Sequence, residues 1–321
     1  MTLTILSPDE IDFEAYAGMQ RASFAELLRH SGVPDDFMSP QYYSWKYRPP
    51  AGNARIAMVV ENGEMVASTG MFPLKIAVRG RELIGWQFCD AATVPKGRSK
   101  GYFTKCIQLL QAELKHDGVF FGFPNKNSKG GFDRIGWRET QTVATFARVI
   151  PFARPPRSDD DVVEFDPAND AFNARVASCS HTSLVRNADY IRWRYLQHPS
   201  HPYTIYFHRV SGGSDGYVVL REIPIAGRRA VLLMELHASS PAIEKALLRR
   251  ATYWGLQRGI HYVLMLSNYF TGWTGLKKGF VLLPSRCLPK QQVLMGSGTT
   301  QEGHDVMGEE WLVQTGDWDG F

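Results

Sequence analysis

The chain has 321 residues, 44% of them hydrophobic, with 36 Lys and Arg against 32 Asp and Glu and a formal net charge of +4. That length can bury two ordinary cores, and so mild a basic surplus fits an anionic small-molecule partner better than a surface that coats nucleic acid. No apolar run approaches the ~20 residues of a membrane span, and Asp9, Glu10 and Asp12 interrupt any leader-like start. Cys89, Cys106, Cys179 and Cys287 are far apart with no CxxC pair. That spacing argues against a zinc site or a disulfide framework and fits a reducing cytoplasm.

In chain order the first marker is Ser44-Trp-Lys-Tyr47, an aromatic cluster expected in a core. The stretch Ala92–Lys105 then reads as a strand end, a basic glycine-containing loop and the first turn of a helix. Phe103, Ile107, Leu110 and Leu114 follow at i, i+4, i+7 and i+11, an amphipathic stripe. Ahead of it, Arg98 and Lys100 alternate with the small residues Gly97, Ser99 and Gly101, where the first helical N–H groups lack partners. Free N–H groups, the positive end of the helix dipole and two cations make an anion site suited to a pyrophosphate. The pattern is neither a Walker loop nor GxGxxG. Gly118–Phe123 is a short apolar run readable as a buried strand, followed by Asn125 and, eleven residues on, Gly136-Trp137.

The turn Arg98-Ser-Lys-Gly101-Tyr-Phe103 resembles the coenzyme A pyrophosphate loop of the GNAT acyltransferases. Asn125 with Gly136-Trp137 resembles the Asn after that family's fifth strand and its Tyr-x-x-x-Gly-Phe-like end. The resemblance implies an α/β fold with a mixed, mainly antiparallel, twisted sheet flanked by helices. It implies an acyl-CoA co-substrate, such as acetyl-CoA, and no metal. On this resemblance the co-substrate contacts are Thr93, Val94, Arg98, Ser99, Lys100, Gly101, Tyr102, Phe103 and Asn125.

The chain also repeats itself. Trp45 and Tyr47 return as Trp193 and Tyr195, shifted by 148 residues. Asn125 and Gly136 return as Asn268 and Gly279, shifted by 143. A repeat of this length means two copies of one domain rather than a solenoid. Within the second copy, Tyr203–Val210, Gly216–Arg221, Ala230–Leu236 and His261–Ser267 read as strands. Ser240-Pro241 caps a helix with Ile243, Leu247, Ala251 and Trp254 on one face. The expected organisation is an acyl-CoA-binding domain over 1–150, a proline-rich linker over 151–163, and a GNAT-like domain over 164–321. The second domain is read as degenerate, completing the acceptor groove, because His237-Ala-Ser-Ser-Pro241 lacks Arg, Lys and Gly ahead of its helix. Its tail from Pro289 to Gly308 is polar and without an assigned role, and Glu310–Val313 reads as a last strand.

Acyl transfer needs a donor for the developing oxyanion, a route for the amine's proton and a proton for the leaving thiolate. Resemblance places the carbonyl donor at the amide of Ala91 and the pantetheine contact near Thr93. The family's usual Glu falls on Gln87, which cannot act as a base, and its usual thiolate-protonating Tyr falls on Phe132. Asp90 is the nearest ionisable residue, readable as a general base or as a carboxylate bonding a neighbouring amide. Water or Tyr102 is left to protonate the thiolate, and Cys89 reads as a small buried residue. His198 and His201, beside prolines, read as an exposed turn. The expected reaction is direct transfer to a primary amine of a small metabolite such as an amino sugar. The alternatives are a Fem-type aminoacyl-tRNA-dependent transferase and a non-catalytic acyl-CoA-binding protein. Neither a nucleic acid nor a membrane is expected as partner.

Overall fold

The computed structural model describes the chain except residues 32–37, 116–117, 151–160, 167–180, 211–212, 226, 285–291, 301 and 319–321. The first half contains β1 (Thr2–Leu6), β2 (Arg55–Glu61), β3 (Glu64–Val78), β4 (Arg81–Thr93), β5 (Val119–Gly122), β6 (Arg138–Val143) and β7 (Thr145–Val149). Its helices are α1 (Phe13–Ser31), α2 (Pro40–Lys46), α3 (Tyr102–Glu113) and α4 (Lys126–Arg134). The second half contains β8 (Val162–Glu164), β9 (Thr182–Leu184), β10 (Thr204–Val210), β11 (Gly213–Ile225), β12 (Arg228–Ala238) and β13 (Tyr262–Leu266). After these come β14 (Val281–Leu282), β15 (Gln292–Ser297) and β16 (Trp311–Leu312), with helices α5 (Ala188–Ile191), α6 (Pro241–Gln257) and α7 (Gly272–Lys277).

These elements form two units. The first comprises residues 1–141, 197–201 and 293–309; the second comprises 142–196, 202–292 and 310–321. In the first unit the sheet runs β1-β2-β3-β4-β5-β15-β6, with β4 parallel to β5 and β1 to β4 antiparallel. Helix α3 packs on β2, β3 and β4 with Ile107, Leu110 and Leu114 of the stripe read from the sequence buried, and Cys106, outside that stripe, buried with them. In the second unit the sheet runs β14-β7-β13-β12-β11-β10-β8, again with one parallel pair, β12 with β13. Helix α6 covers it with Leu247, Ala251 and Trp254, and with the partly buried Ile243, as its spacing predicts, and adds Leu248. Both sheets are mixed and flanked by helices, the fold class expected.

The boundaries differ from a simple division near residue 150. Strand β7 pairs with β13 in the second sheet, where Phe146 joins a core containing Phe270 and Phe280. In the reverse direction β15 enters the first sheet beside β5, burying Leu294 and Met295 completely. The polar-looking tail thus supplies a core strand. The cause is long-range pairing: each strand buries its apolar residues in the sheet where a ladder slot is open. Residues 162 and 163 of the expected linker belong to β8, which pairs with β10. Residues 151–160, Cys179 and Cys287 lie outside the described residues.

Candidate active site

The site begins with a fault in the β3–β4 ladder. Ser68 pairs with Ala92 and Gly70 with Cys89, so Thr69 faces two residues, Asp90 and Ala91. This is a bulge, and Asp90 takes φ +48°, a left-handed conformation costly for a residue with a side chain. A cluster of polar side chains holds it there. The Lys46 ammonium donates to one Asp90 carboxylate oxygen at 2.8 Å and the Tyr47 hydroxyl to the other at 2.9 Å. Gln20 Nε2 donates to the Asp90 carbonyl at 3.0 Å and to the Tyr16 hydroxyl at 2.9 Å. The Tyr16 and Tyr47 oxygens are 2.6 Å apart. Tyr47 has one proton and gives it to Asp90, so Tyr16 donates to Tyr47. Burial, then the Asp90 charge, raises both tyrosines well above their ordinary value, so they stay protonated donors. Gly70 leaves room for this chain: a side chain there would meet Cys89 Sγ at 3.0 Å and the Tyr47 hydroxyl at 3.3 Å.

The sheet opens ahead of the bulge. The parallel β4–β5 ladder covers only Gly85–Gln87 and Val119–Phe121, although β4 continues to Thr93. A 3-10 turn over Pro95–Gly97 then leads to the basic loop. Ser99 (φ +64°) and Gly101 (φ +75°) alternate backbone hand, and Gly101 is the N-cap of α3 without a side-chain cap. The start of α3 therefore has no protein oxygen supplied by its own cap, and the exposed Arg98 stands next to it.

Residues 7–139 match the family model described as an acetyltransferase (GNAT) domain. The first unit carries a GNAT acetyltransferase domain. On this ground the protein is an acyltransferase, and GNAT domains use acyl-CoA as co-substrate. No curated protein matches the sequence. Solved structures resemble nearly the whole chain. A conserved protein from Enterococcus faecalis, described as a probable N-acyltransferase, is 13% identical with a TM-score of 0.66, covering 92% of this chain and 72% of its own. A GCN5-related N-acetyltransferase from Anabaena variabilis is 10% identical with a TM-score of 0.60 and the same coverage. A Pyrococcus horikoshii protein is 12% identical with a TM-score of 0.55, covering 97% of this chain and 94% of its own. At these identities the likeness is one of fold.

Within the GNAT domain the residues singled out in the sequence fall in three places. Asp90, Ala91 and Thr93 lie on the bulged end of β4, and Arg98–Phe103 form the loop entering α3. Asn125 caps α4, its Oδ1 accepting the Ser128 N–H at 3.1 Å. Some are engaged within the protein. Val94 donates its N–H to Val66 and accepts from Gly97. Lys100 pairs with Glu61 at 2.8 Å, and the Tyr102 hydroxyl donates to the same carboxylate, so this phenol points away from service as the thiolate's acid. Phe132 is completely buried, its ring 4.6 Å from Phe88, 5.3 Å from Phe103 and 4.5 Å from Trp137. An apolar ring there fills an aromatic core, which explains the departure from Tyr. Cys89 is buried, as expected. His198 is not on an exposed turn: it is buried, its ring lies tilted 4.3 Å from that of Trp45, and its Nδ1 accepts the N–H of Ser200 and of His201.

Lys46, Tyr47, Tyr16, Gln20 and Glu61 were not singled out as site residues. A signal for the first two existed in the recurrence of a cation between Trp and Tyr, Lys46 in Trp45–Tyr47 and Arg194 in Trp193–Tyr195. The second unit holds a similar tyrosine–carboxylate pair. Tyr195 donates at 2.6 Å to Glu235 on β12, as Tyr47 does to Asp90 on β4. Glu235 is further held by Tyr217 at 2.7 Å and Arg186 at 3.0 Å, and Arg186 also pairs with Asp317.

Proposed function

We propose that the first unit transfers an acyl group, taken as acetyl, from acyl-CoA directly to a primary amine of a small metabolite such as an amino sugar. In this reading the second unit is a degenerate copy of the first. The observation that carries the proposal is the β4 bulge at Asp90 and Ala91, which follows the last β4–β5 pair, at Gln87, by three and four residues and precedes the basic loop. The loop's Arg98, with the uncapped α3 N-terminus, takes the pyrophosphate. Thr93 main chain runs beside the pantetheine arm as an added strand would. The Ala91 N–H donates to the thioester oxygen as the amine adds and negative charge develops there.

Asp90 is proposed as the residue that sets this geometry. Each of its two oxygens already accepts one hydrogen bond, from Lys46 and from Tyr47, which fixes the carboxylate in the bulge. With Tyr102 bound to Glu61 and Phe132 apolar, water protonates the thiolate, a good leaving group with a thiol pKa of ~8.5. The test is calorimetry with acetyl-CoA followed by thiol release on a panel of amines. One acetyl-CoA per chain and thiol release with primary amines are expected. Binding without release for any amine would favour a binding protein, and transfer from aminoacyl-tRNA would favour the Fem-type reaction.

A further inference from the structure

The second unit has a cleft equivalent to the one just described, and its own chain fills it. The β12–β13 ladder covers only Val231–Leu232 and Val263–Leu264, while β12 continues to Ala238. Into the opening runs the segment after β16. Val313, Gln314, Thr315 and Asp317 are each 5% exposed or less. The Gln314 side-chain carbonyl accepts the Leu236 N–H at 2.7 Å. On the β13 side, the Thr315 hydroxyl accepts the Leu266 N–H at 2.9 Å and donates to the Leu266 carbonyl at 3.1 Å. The segment therefore bridges both splayed strands.

Counterparts in the two units sharpen the point. Asp90 and Glu235 both receive the hydroxyl of the Trp-x-Tyr tyrosine, so the next residues, Ala91 and Leu236, correspond. The Leu236 N–H, counterpart of the amide assigned to the thioester oxygen, is bound by an amide carbonyl from Gln314. Asn268, which repeats Asn125, accepts the Val313 N–H at 2.7 Å and donates to the Trp311 carbonyl. Arg194, which repeats Lys46, donates to the carbonyls of Gly316 at 3.2 Å and Trp318 at 2.9 Å. Asp317 completes the anchor on Arg186.

From this we infer that the second unit's cleft is a peptide-binding site, in which the segment 313–318 takes the place of an acyl-CoA arm. The inference rests on the reading of the second unit as a copy of the first. Main-chain carbonyls, one amide side chain and one carboxylate replace the thioester, pantetheine and phosphates, and the residues that would hold the cofactor hold polypeptide. Gly316 is required at the narrowest point, where an added side chain would collide with the Tyr195 hydroxyl and meet Glu235 Oε1 at 3.1 Å.

The test cuts the folded protein, so that failure to fold does not enter. A protease recognition sequence is inserted between Glu309 and Glu310, both outside the buried stretch. After cleavage the C-terminal peptide should stay with the chain through gel filtration and exchange with a labelled Glu310–Trp318 peptide. The same peptide carrying Gly316→Val should bind ~10–100-fold more weakly, and excess CoA should displace neither. The inference is overturned if the cleaved peptide leaves a folded chain at once, if CoA displaces it, or if the Gly316→Val peptide binds as well as the native one. Acetyl-CoA titration of the uncut chain separates the two readings. No binding there would remove the proposed function while leaving peptide retention standing.

Discussion

The two units build the same clamp and use it differently. In each, a tyrosine from a Trp-cation-Tyr sequence donates to a carboxylate on the strand that borders the cleft. In the first unit that carboxylate sits in a bulge, 14% exposed in its side chain, beside a basic glycine loop. In the second the carboxylate is completely buried, Ser240-Pro241 replaces the basic loop, and a buried segment crosses the opening. A charged clamp near solvent can orient a reacting group; the same clamp sealed in the interior can only hold structure. The difference teaches that the motif marks the strand edge, and that what lies beyond the edge decides its use.

The largest effect should come from breaking the sealed clamp. Arg186 pairs with both Glu235 and Asp317. Arg186→Met removes the cation that two buried carboxylates share, at a cost of about 3–5 kcal/mol. Chemical denaturation should show it in the second unit's transition, with acetyl-CoA affinity of the surviving folded protein little changed. Equal loss of affinity would mean the second unit shares the co-substrate site.

The open clamp should respond in rate. Asp90→Asn and Lys46→Met each release one side of the bulge, and a misplaced Ala91 amide should lower turnover by ~10²-fold at nearly unchanged acetyl-CoA affinity. Matching losses, with the same pH profile as the native enzyme, identify a positioning pair. If Asp90→Asn alone is severe and its loss is recovered as pH rises, Asp90 is the general base and Lys46 a bystander.

Part of this contrast was legible before any coordinates. Periodicity located α3 and α6, and a cap with Pro at the first helical position marked Ser240-Pro241, because these signals act within a few residues. The Trp-x-Tyr repeat and the repeated Asn read as a sign of two copies of one domain, with the aromatics in the core. What was hidden depends on distant pairing. Lys46 meets Asp90 across 44 positions, and β15 pairs with β5 across more than 170, distances at which local pattern carries no information. His198 misled for a related reason: its prolines mark a turn, but Trp45 from another segment covers that turn. The cleft-filling segment was visible only as a weak strand, since Gln314, Thr315 and Asp317 read as surface residues until their partners are known.

Smaller effects should appear in the loop proposed to take the pyrophosphate. Arg98→Ala should weaken acetyl-CoA binding by about 1.5–3 kcal/mol, the worth of a charge-assisted bond to phosphate. Lys100→Ala should cost less, because Lys100 must first give up Glu61. Glu61→Gln should free Lys100 and tighten binding ~2–5-fold, the scale of an exposed ion pair. Calorimetry on the three variants orders them. A Lys100→Ala loss equal to that of Arg98→Ala would show that the Glu61 pair does not compete with the phosphate.

The smallest effect is a pH dependence confined to the second unit. His237 on β12 is buried. Burial, then the Arg186 charge, pushes the His237 pKa below its ordinary 6.5, so the folded protein holds the ring neutral. The unfolded chain takes up a proton near pH 6.5 and the folded one only at lower pH. Between those values the unfolded state carries more protons, and stability rises with pH. The contribution is therefore complete above pH 6.5 and is lost as pH falls through 6.5 toward the folded value, with a slope of at most about 1.4 kcal/mol per pH unit. His237→Asn removes the proton and should flatten that part of the curve. Hydrogen exchange at pH 5.5 and pH 7.5, read on α6 and α3 separately, isolates the second unit from the first. Protection of α6 should fall at the lower pH in the native chain and hold in the variant, with α3 insensitive in both. If α6 in His237→Asn keeps the native pH dependence, the proton belongs to another group, and the buried imidazole does not distinguish the two units.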